Sequence, residues 1–329
     1  MKTPFSFLAL AAAVVALSSC GESDDYAYVT NGVDPFWTIA EAGAKTAGAD
    51  LGVRVSVLMP AGGPVEQKNM LEDLITRGIK GIAVSPIDAA NQTDFLNQIA
   101  DKTILITHDS DAPDSKRQVY IGMDNYDAGR ACGQLVKEAL PEGGSIMILI
   151  GRMEQDNSRR RRQGVIDELL DRSHDNTRFD PPGEEIKGEK FTILGTLTDQ
   201  FDRAKAKANA EDTLTRNPDI SAMVGLFAYN PPLILEALEQ AGKVGQVKVI
   251  AFDEDARTLQ GIVDGQIHGT VVQNPYMYGY KSIEVLKAID EGREDAFPAD
   301  GFINVEARQI RKDNVEAFWA DLKTKLGQD

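Results

Sequence analysis

The 329-residue chain is poor in the residues that build covalent or metal scaffolds. It has two cysteines, three histidines and two tryptophans. No disulfide framework and no Cys/His metal cluster can be assembled from so few. Cys20 closes an apolar leader-like run, which leaves Cys132 alone in the body. Cys132 lies in the small-residue stretch 128–135 and reads as buried packing. Positive charge is also scarce, with 35 basic residues against 51 acidic ones and a net charge of −16. Such a chain is repelled by phosphate backbones, which excludes nucleic acid as a partner. Catalytic signatures are missing as well: there is no Walker loop, no Gly-x-Ser-x-Gly and no zinc-binding His pair. His108, beside Asp109, reads as packed or cleft-lining before it reads as a base. The expectation is a non-enzyme without cofactor or metal.

The first residues carry Lys2 and then an apolar run over 5–17 that ends in Leu17-Ser18-Ser19-Cys20-Gly21. The run is too short for a spanning helix of about 20 residues and reads as a signal peptide over 1–19. The cysteine after Leu-Ser-Ser resembles a bacterial lipobox, which makes Cys20 the lipidation site and 20–25 a tether. The expected location is the periplasmic or extracytoplasmic face of a bacterial membrane, held there by lipid alone. No later stretch is apolar enough to span.

From Tyr26 onward, short β-rich runs alternate with stretches of helical period. Strands are expected at 26–30, 53–58, 81–84, 103–107, 119–121, 145–150, 191–197, 222–226, 247–252 and 269–272. Helices are expected at 36–50, 65–77, 88–100, 125–140, 160–170, 204–216, 231–241 and 256–263, with an amphipathic packing helix at 313–326. The polar stretch 171–190 and the turn-rich 291–301 read as surface links. This alternation means βαβ units and parallel sheets covered on both faces. About a dozen strands are too many for one open sheet of this length. The fold class is therefore α/β, with two doubly wound parallel-sheet lobes and a cleft between them. Ligands of such sheets bind beyond the carboxyl ends of strands.

The strand exits carry Asp34-Pro35-Phe36-Trp37, Asp109, Arg159 with Gly164, Phe201-Asp202-Arg203, Asn230, Phe252-Asp253 and Val271-Val272-Gln273. In this order and spacing the chain resembles the ribose/galactose-type periplasmic binding proteins, the type I receptors of bacterial sugar ABC importers. The resemblance implies that Phe36, Trp37 and Phe201 sandwich a sugar ring. It also implies that Asp34, Asp109, Ser110, Arg159, Asn230, Asp253 and Gln273 line the polar rim. Arg160 to Arg162 then face solvent or pair with acids. A three-crossing hinge is implied near Met123-Asp124, Gln273-Asn274 and Gly301-Phe302. The lobes would be 26–123 plus 274–301, and 124–273 plus 302–329.

The chemistry supports such a site independently. Aromatic faces cover the C–H side of a sugar at low entropic cost. Carboxylates, arginine and amides satisfy its hydroxyls. Several of these residues also read structurally. Phe36 and Trp37 could staple the first helix, while Asp34, Asn230 and Asp253 could be helix caps. Two departures stand out. Much of the family has an amide at Asp34, and ribose receptors have a basic residue at Ser110. A pocket of Asp34, Asp109 and Asp253 against Arg159 alone would suit a ligand rich in hydroxyl donors, such as a polyol, pentose or cyclitol, or an amine-bearing sugar, over plain ribose, an acidic sugar or a phosphate. The expected partners are that ligand and an ABC permease, with the protein acting as a monomer. The alternative is a sensing receptor for a chemotaxis or sensor-kinase partner. A sugar-responsive repressor is excluded by the leader and by the lack of a helix-turn-helix before Tyr26.

Overall fold

The computed structural model describes residues 24–293 and 295–328. Cys20 and the expected leader 1–19 lie outside the described residues, as does most of the tether.

The first half of the chain lays down β1 (Tyr26–Val29), α1 (Pro35–Leu51), β2 (Val55–Leu58), α2 (Pro64–Thr76), β3 (Gly81–Val84), α3 (Ala89–Ala100), β4 (Ile104–His108) and β5 (Tyr120–Gly122). The second half follows with α4 (Asn125–Ala139), β6 (Gly144–Ile150), α5 (Asp156–Leu169), β7 (Ile186–Lys187), β8 (Phe191–Thr198), α6 (Arg203–Arg216), β9 (Ala222–Gly225), α7 (Asn230–Gln240), β10 (Lys248–Phe252), α8 (Ala256–Val263) and β11 (Gly269–Val272). The chain ends with α9 (Pro275–Asp290), β12 (Phe302–Asn304), β13 (Arg308–Ile310) and α10 (Val315–Lys325).

Two sheets result. The first has the order β12-β5-β4-β3-β1-β2, and the second β13-β11-β10-β9-β6-β8-β7. The first is parallel throughout. In the second, only the edge strands β7 and β13 run antiparallel to their neighbours. Alternate residues serve opposite faces, as the strand period requires. Tyr26 and Tyr28 pack with Ala40 and Ala44 of α1 and Tyr278 of α9. Ala27 and Val29, between them, pack with Leu71 of α2 and Leu96 of α3. In the second sheet Ile146, Ile148 and Ile150 face α4 and α5, while Met147 and Leu149 face α6 to α8.

The acid surplus has a local use. Asp34, Asp88, Asp124, Asp202 and Asp255 each cap a helix N-terminus by accepting from its first backbone N–H groups. Such a cap contributes about 1 kcal/mol. The caps follow strands directly or through short loops, so acidic side chains gather at the strand ends that face the cleft.

The chain passes between the sheets three times, at 123–124, 273–274 and 305–307. The third passage lies later than the sequence suggests, because β12 pairs in parallel with β5 of the first sheet. Residues 302–304 therefore belong with the first sheet, and the expected break at Gly301-Phe302 is corrected. Helix α9 was not anticipated between 274 and 291, nor were the short strands β7, β12 and β13. Helix α10 sits on the second lobe, with Val315 fully buried and Phe318, Trp319 and Leu322 against the same core.

Helices α1 and α9 touch backbone to backbone. A Cβ on Gly279 would stand 1.9 Å from the Ala40 carbonyl oxygen. Gly279→Ala must therefore push α9 away from α1. We expect a loss of about 1–3 kcal/mol, the usual cost of overpacking. A urea midpoint equal to that of the parent chain would show that the two helices do not pack as described.

Candidate functional site

A cavity of about 220 Å³ lies between the two sheets, at the carboxyl ends of their strands. On the first-lobe side, Phe36 and Trp37 form one aromatic wall, their rings edge to face at 4.9 Å. Facing them from the second lobe, Phe201 stands edge to face with Phe227 at 5.5 Å and with Tyr229 at 6.1 Å. Asp199 holds this second wall in place. It accepts from the Phe201 N–H at 2.8 Å, from the Tyr229 hydroxyl, and from Asn230 Nδ2 at 2.9 Å. Burial pushes its carboxyl up to about 6.

The polar floor is built around one arginine. Arg161 is 1 % exposed, and its guanidinium lies over the Phe252 ring at 4.4 Å. Its Nε donates to Asn125 Oδ1 at 2.9 Å, and Nη1 donates to the Leu226 carbonyl at 3.2 Å. Nη2 lies 3.7 Å from Asp109 Oδ1, across the cleft, and donates to no acceptor among the described residues. Asp109 Oδ2 accepts from Ser85 Oγ at 3.1 Å and from Asn31 Nδ2 at 3.3 Å in the first lobe. It also accepts from Asn157 Nδ2 of the second lobe at 3.3 Å. Asp253 Oδ1 accepts from Gln273 Nε2 at 2.7 Å, and Gln273 Oε1 accepts from the Tyr278 hydroxyl at 3.1 Å.

Asp109, Phe201 and Asp253 all hold positive φ, at 59°, 64° and 68°. These are left-handed conformations that non-glycine residues rarely adopt. In each case the turn aims a strand-exit side chain into the cavity.

At the mouth, Asp34 has two roles. Oδ1 caps α1 through the Phe36 N–H at 3.1 Å, and Oδ2 accepts from Arg203 of the opposite lobe at 2.7 Å. Arg152 lies over the Phe201 ring at 5.1 Å, and its buried Nε has no hydrogen-bond partner among the described residues.

The structure brings together seven of the ten residues expected from the sequence: Asp34, Phe36, Trp37, Asp109, Phe201, Asp253 and Gln273 all line the cavity. Three do not. Arg159 points away, 44 % exposed and paired with Asp156 at 3.5 Å. The cause is that α5 begins at Asp156 and not near residue 160. At about 100° per residue, positions 159 and 161 lie on opposite faces, so Arg161 turns inward. Gly164 sets the depth of that helix, since a Cβ there would stand 2.1 Å from the Tyr126 carbonyl oxygen of α4. Arg162 is also buried and pins the carbonyls of Asp180 and Pro181. Ser110 folds back on β4, its N–H donating to the His108 carbonyl at 2.6 Å, and stays behind the cavity. Asn230 starts α7 and braces Asp199 and the Phe227 N–H without lining the cavity.

Sequence reasoning missed Asn31, Arg152, Arg161, Arg203, Phe227 and Tyr229. The last two follow β9 within four residues, which was a usable signal. The charge balance changes with them. Three aspartates face three arginines, so the acidic pocket expected from the sequence is corrected to a balanced one. His108 is wholly buried, stacked on Tyr28 at 3.9 Å, and burial pushes its pKa down to about 3. It is a neutral core residue. Cys132 is buried too.

Burial pushes Asp253 up to about 7 and Asp109 up to about 6, against the opposing pull of the Arg161 charge. A carboxyl raised in the folded state binds protons more tightly there than in the unfolded chain, whose value is about 4. Below about pH 4 it is neutral in both states and costs nothing; the cost is complete above the folded value. Asp253→Asn removes that cost. We expect the melting temperature of Asp253→Asn, relative to the parent, to climb as pH rises from 4 to 8. A difference independent of pH would overturn this account of the floor.

The profile of the periplasmic binding protein domain matches residues 27–294. The ribose import binding protein of Salmonella typhimurium is 27% identical over 309 residues, covering 91% of this chain and 96% of that one. The D-allose-binding periplasmic protein of Escherichia coli is 24% identical over 267 residues, covering 77% and 80%. Among solved structures, a Burkholderia graminis ABC transporter solute-binding protein in complex with D-arabinose superposes with a TM-score of 0.79 at 26% identity, covering 88% and 95%. A glucose-galactose binding protein from Geobacillus stearothermophilus gives 0.78 at 26%, covering 89% and 99%. The matched family consists of solute-binding receptors and not enzymes. With its two lobes and the cavity between them, this chain belongs to the periplasmic binding protein family.

Proposed function

We propose that this chain is the extracytoplasmic receptor of an ABC importer and captures a neutral pentose or hexose between its lobes. The carrying observation is the floor of the cavity. Arg161 offers a buried Nη2 that makes no hydrogen bond among the described residues and lies beside the Asp109 carboxylate, with aromatic walls on either side. A buried donor left unmet costs about 1–3 kcal/mol, and a sugar hydroxyl is an acceptor that removes this cost. The neighbouring carboxylates of Asp109 and Asp253 then accept hydroxyl protons in charge-assisted bonds. With acids and arginines balanced, a neutral ligand fits better than the cationic sugar weighed from the sequence.

Each lobe supplies one aromatic wall and part of the floor, so a bound sugar joins the lobes. Closure about the three crossings is the corresponding hinge motion. Several relatives are named as ribose import binding proteins, which favours transport over the sensing alternative. The leader-like start and Cys20 support anchorage by lipid at a membrane surface, with the chain acting as a monomer.

Isothermal titration with D-ribose, D-allose, D-arabinose, D-glucose and D-galactose tests the ligand class. At least one should bind, and at 100 times its dissociation constant it should add about 2.7 kcal/mol of stability. Arg161→Ala should weaken that binding at least about thirtyfold, the scale of truncating a buried charged pair. Arg159→Ala should leave it unchanged. Loss of binding in Arg159→Ala together with normal binding in Arg161→Ala would reverse the assignment. Silence across the whole panel would sink the sugar reading. Independently, Cys20→Ala should move the protein from the membrane fraction to the soluble one; retention on membranes would refute the lipid anchor.

A further inference from the structure

Beyond the Asp34 turn lies a second cavity of about 520 Å³, larger than the first. Ile39 and Met59 of the first lobe form one wall, and Trp319 and Leu322 of α10, with Leu326 just after it, form the other. Val33, Asp34, Phe36 and Ala228 line both cavities, so the two spaces are neighbours around one turn. Val33 is 65 % exposed, a large apolar side chain standing where the spaces meet. Helix α10 is rooted in the second lobe by Val315 and Phe318. Its apolar face is nevertheless not pressed onto α1; the gap between them is the cavity. Side chains lining such a gap forgo dispersion contacts that a filled space would return.

We infer that this second cavity is a subsite for an apolar ring carried on the sugar. The preferred ligand is then a glycoside whose neutral aromatic aglycone lies between α1 and α10. The inference rests on the sugar reading above and narrows it. Size supports it: a dry cavity of about 150 Å³ already holds benzene. The first cavity therefore suits one ring, and the second has room for another with substituents. Trp319 offers a flat face of the kind that aromatic rings stack on at low entropic cost. Charge sets the limits. Among the described lining residues the acids Asp34, Glu254 and Asp255 outnumber the basic Lys323, which disfavours an anion. A cation would meet Lys323, whose ammonium already sits 4.6 Å from the Trp319 ring centre.

The test is isothermal titration of the full chain with D-ribose, D-allose, D-arabinose, D-glucose and D-galactose, each against its phenyl glycoside. At least one phenyl glycoside should bind about tenfold or more tightly than its parent sugar. Trp319→Ala, and Met59→Ala on the facing wall, should each erase that advantage while leaving the parent sugar's affinity unchanged. Parent sugars that bind while every phenyl glycoside binds no better would overturn the subsite and leave the sugar reading standing. A gain that survives both substitutions would also overturn it. If neither parents nor glycosides bind, the sugar reading fails and the subsite falls with it.

Discussion

A fully buried guanidinium must be matched, and the cleft is organised by how Arg161 is matched. It belongs to the second lobe, yet its nearest carboxylate, Asp109, belongs to the first. An isolated charge moved into a medium this apolar would cost many kcal/mol. Arg161 avoids that by donating to Asn125 beside the first crossing and to the Leu226 carbonyl of its own lobe, and by lying over Phe252. Only the donor that faces the cleft is left over. The charge is therefore tolerated without a ligand but completed only by one, or by Asp109 when the lobes meet.

The other floor residues follow from that placement. Asp109 and Asp253 follow strands of different sheets, and the Asp109 charge adds to the burial that raises the affinity of Asp253 for protons. With Arg161 near both, the two acids can remain charged acceptors for hydroxyls. The donors that hold them, Asn31, Ser85, Asn157 and Gln273, are neutral and fix their orientation without adding charge. With Asp34, Arg152 and Arg203 added at the mouth and wall, the cavity sets three acids against three arginines and carries several directed hydrogen-bonding groups. A polyhydroxylated neutral molecule meets that description better than any ion.

Most of the fold was legible because a parallel sheet covered on both faces writes itself as short apolar runs between amphipathic ones. The elements that escaped lack that signature. β7 has two residues and β12 and β13 have three each, too short for any period to register. Helix α9 opens on an Asn cap and a proline and buries Tyr278 and Gly279 against α1 and the sheet, so its apolar stripe is diluted. The site was legible where a residue sits directly at a strand exit, as with Asp109, Phe201 and Asp253. It was not legible where the answer depended on helical phase. Four consecutive arginines give no hint of which faces inward. The start of α5, four residues earlier than its apolar pattern suggests, decides it. Left-handed backbone at the strand exits was equally invisible, since aspartate and phenylalanine do not announce φ the way glycine does.

The interactions across the cleft also form a gradient. Near the hinge they are buried: Arg161 and Asp109 are 1 % and 4 % exposed on their side chains. At the mouth, Arg203 is 53 % exposed where it meets Asp34. An ion pair that wet contributes at most about 1 kcal/mol, so it can hold the lobes in register without locking them. The floor is different, because separating Asp109 from Arg161 means rehydrating both charges. That rehydration offsets much of the Coulomb energy lost. Neither end of the cleft thus closes strongly by itself. A ligand that supplies the missing acceptor at the floor and fills the space between the aromatic walls adds the difference. Closure is then a report on occupancy, which is the property a receptor needs.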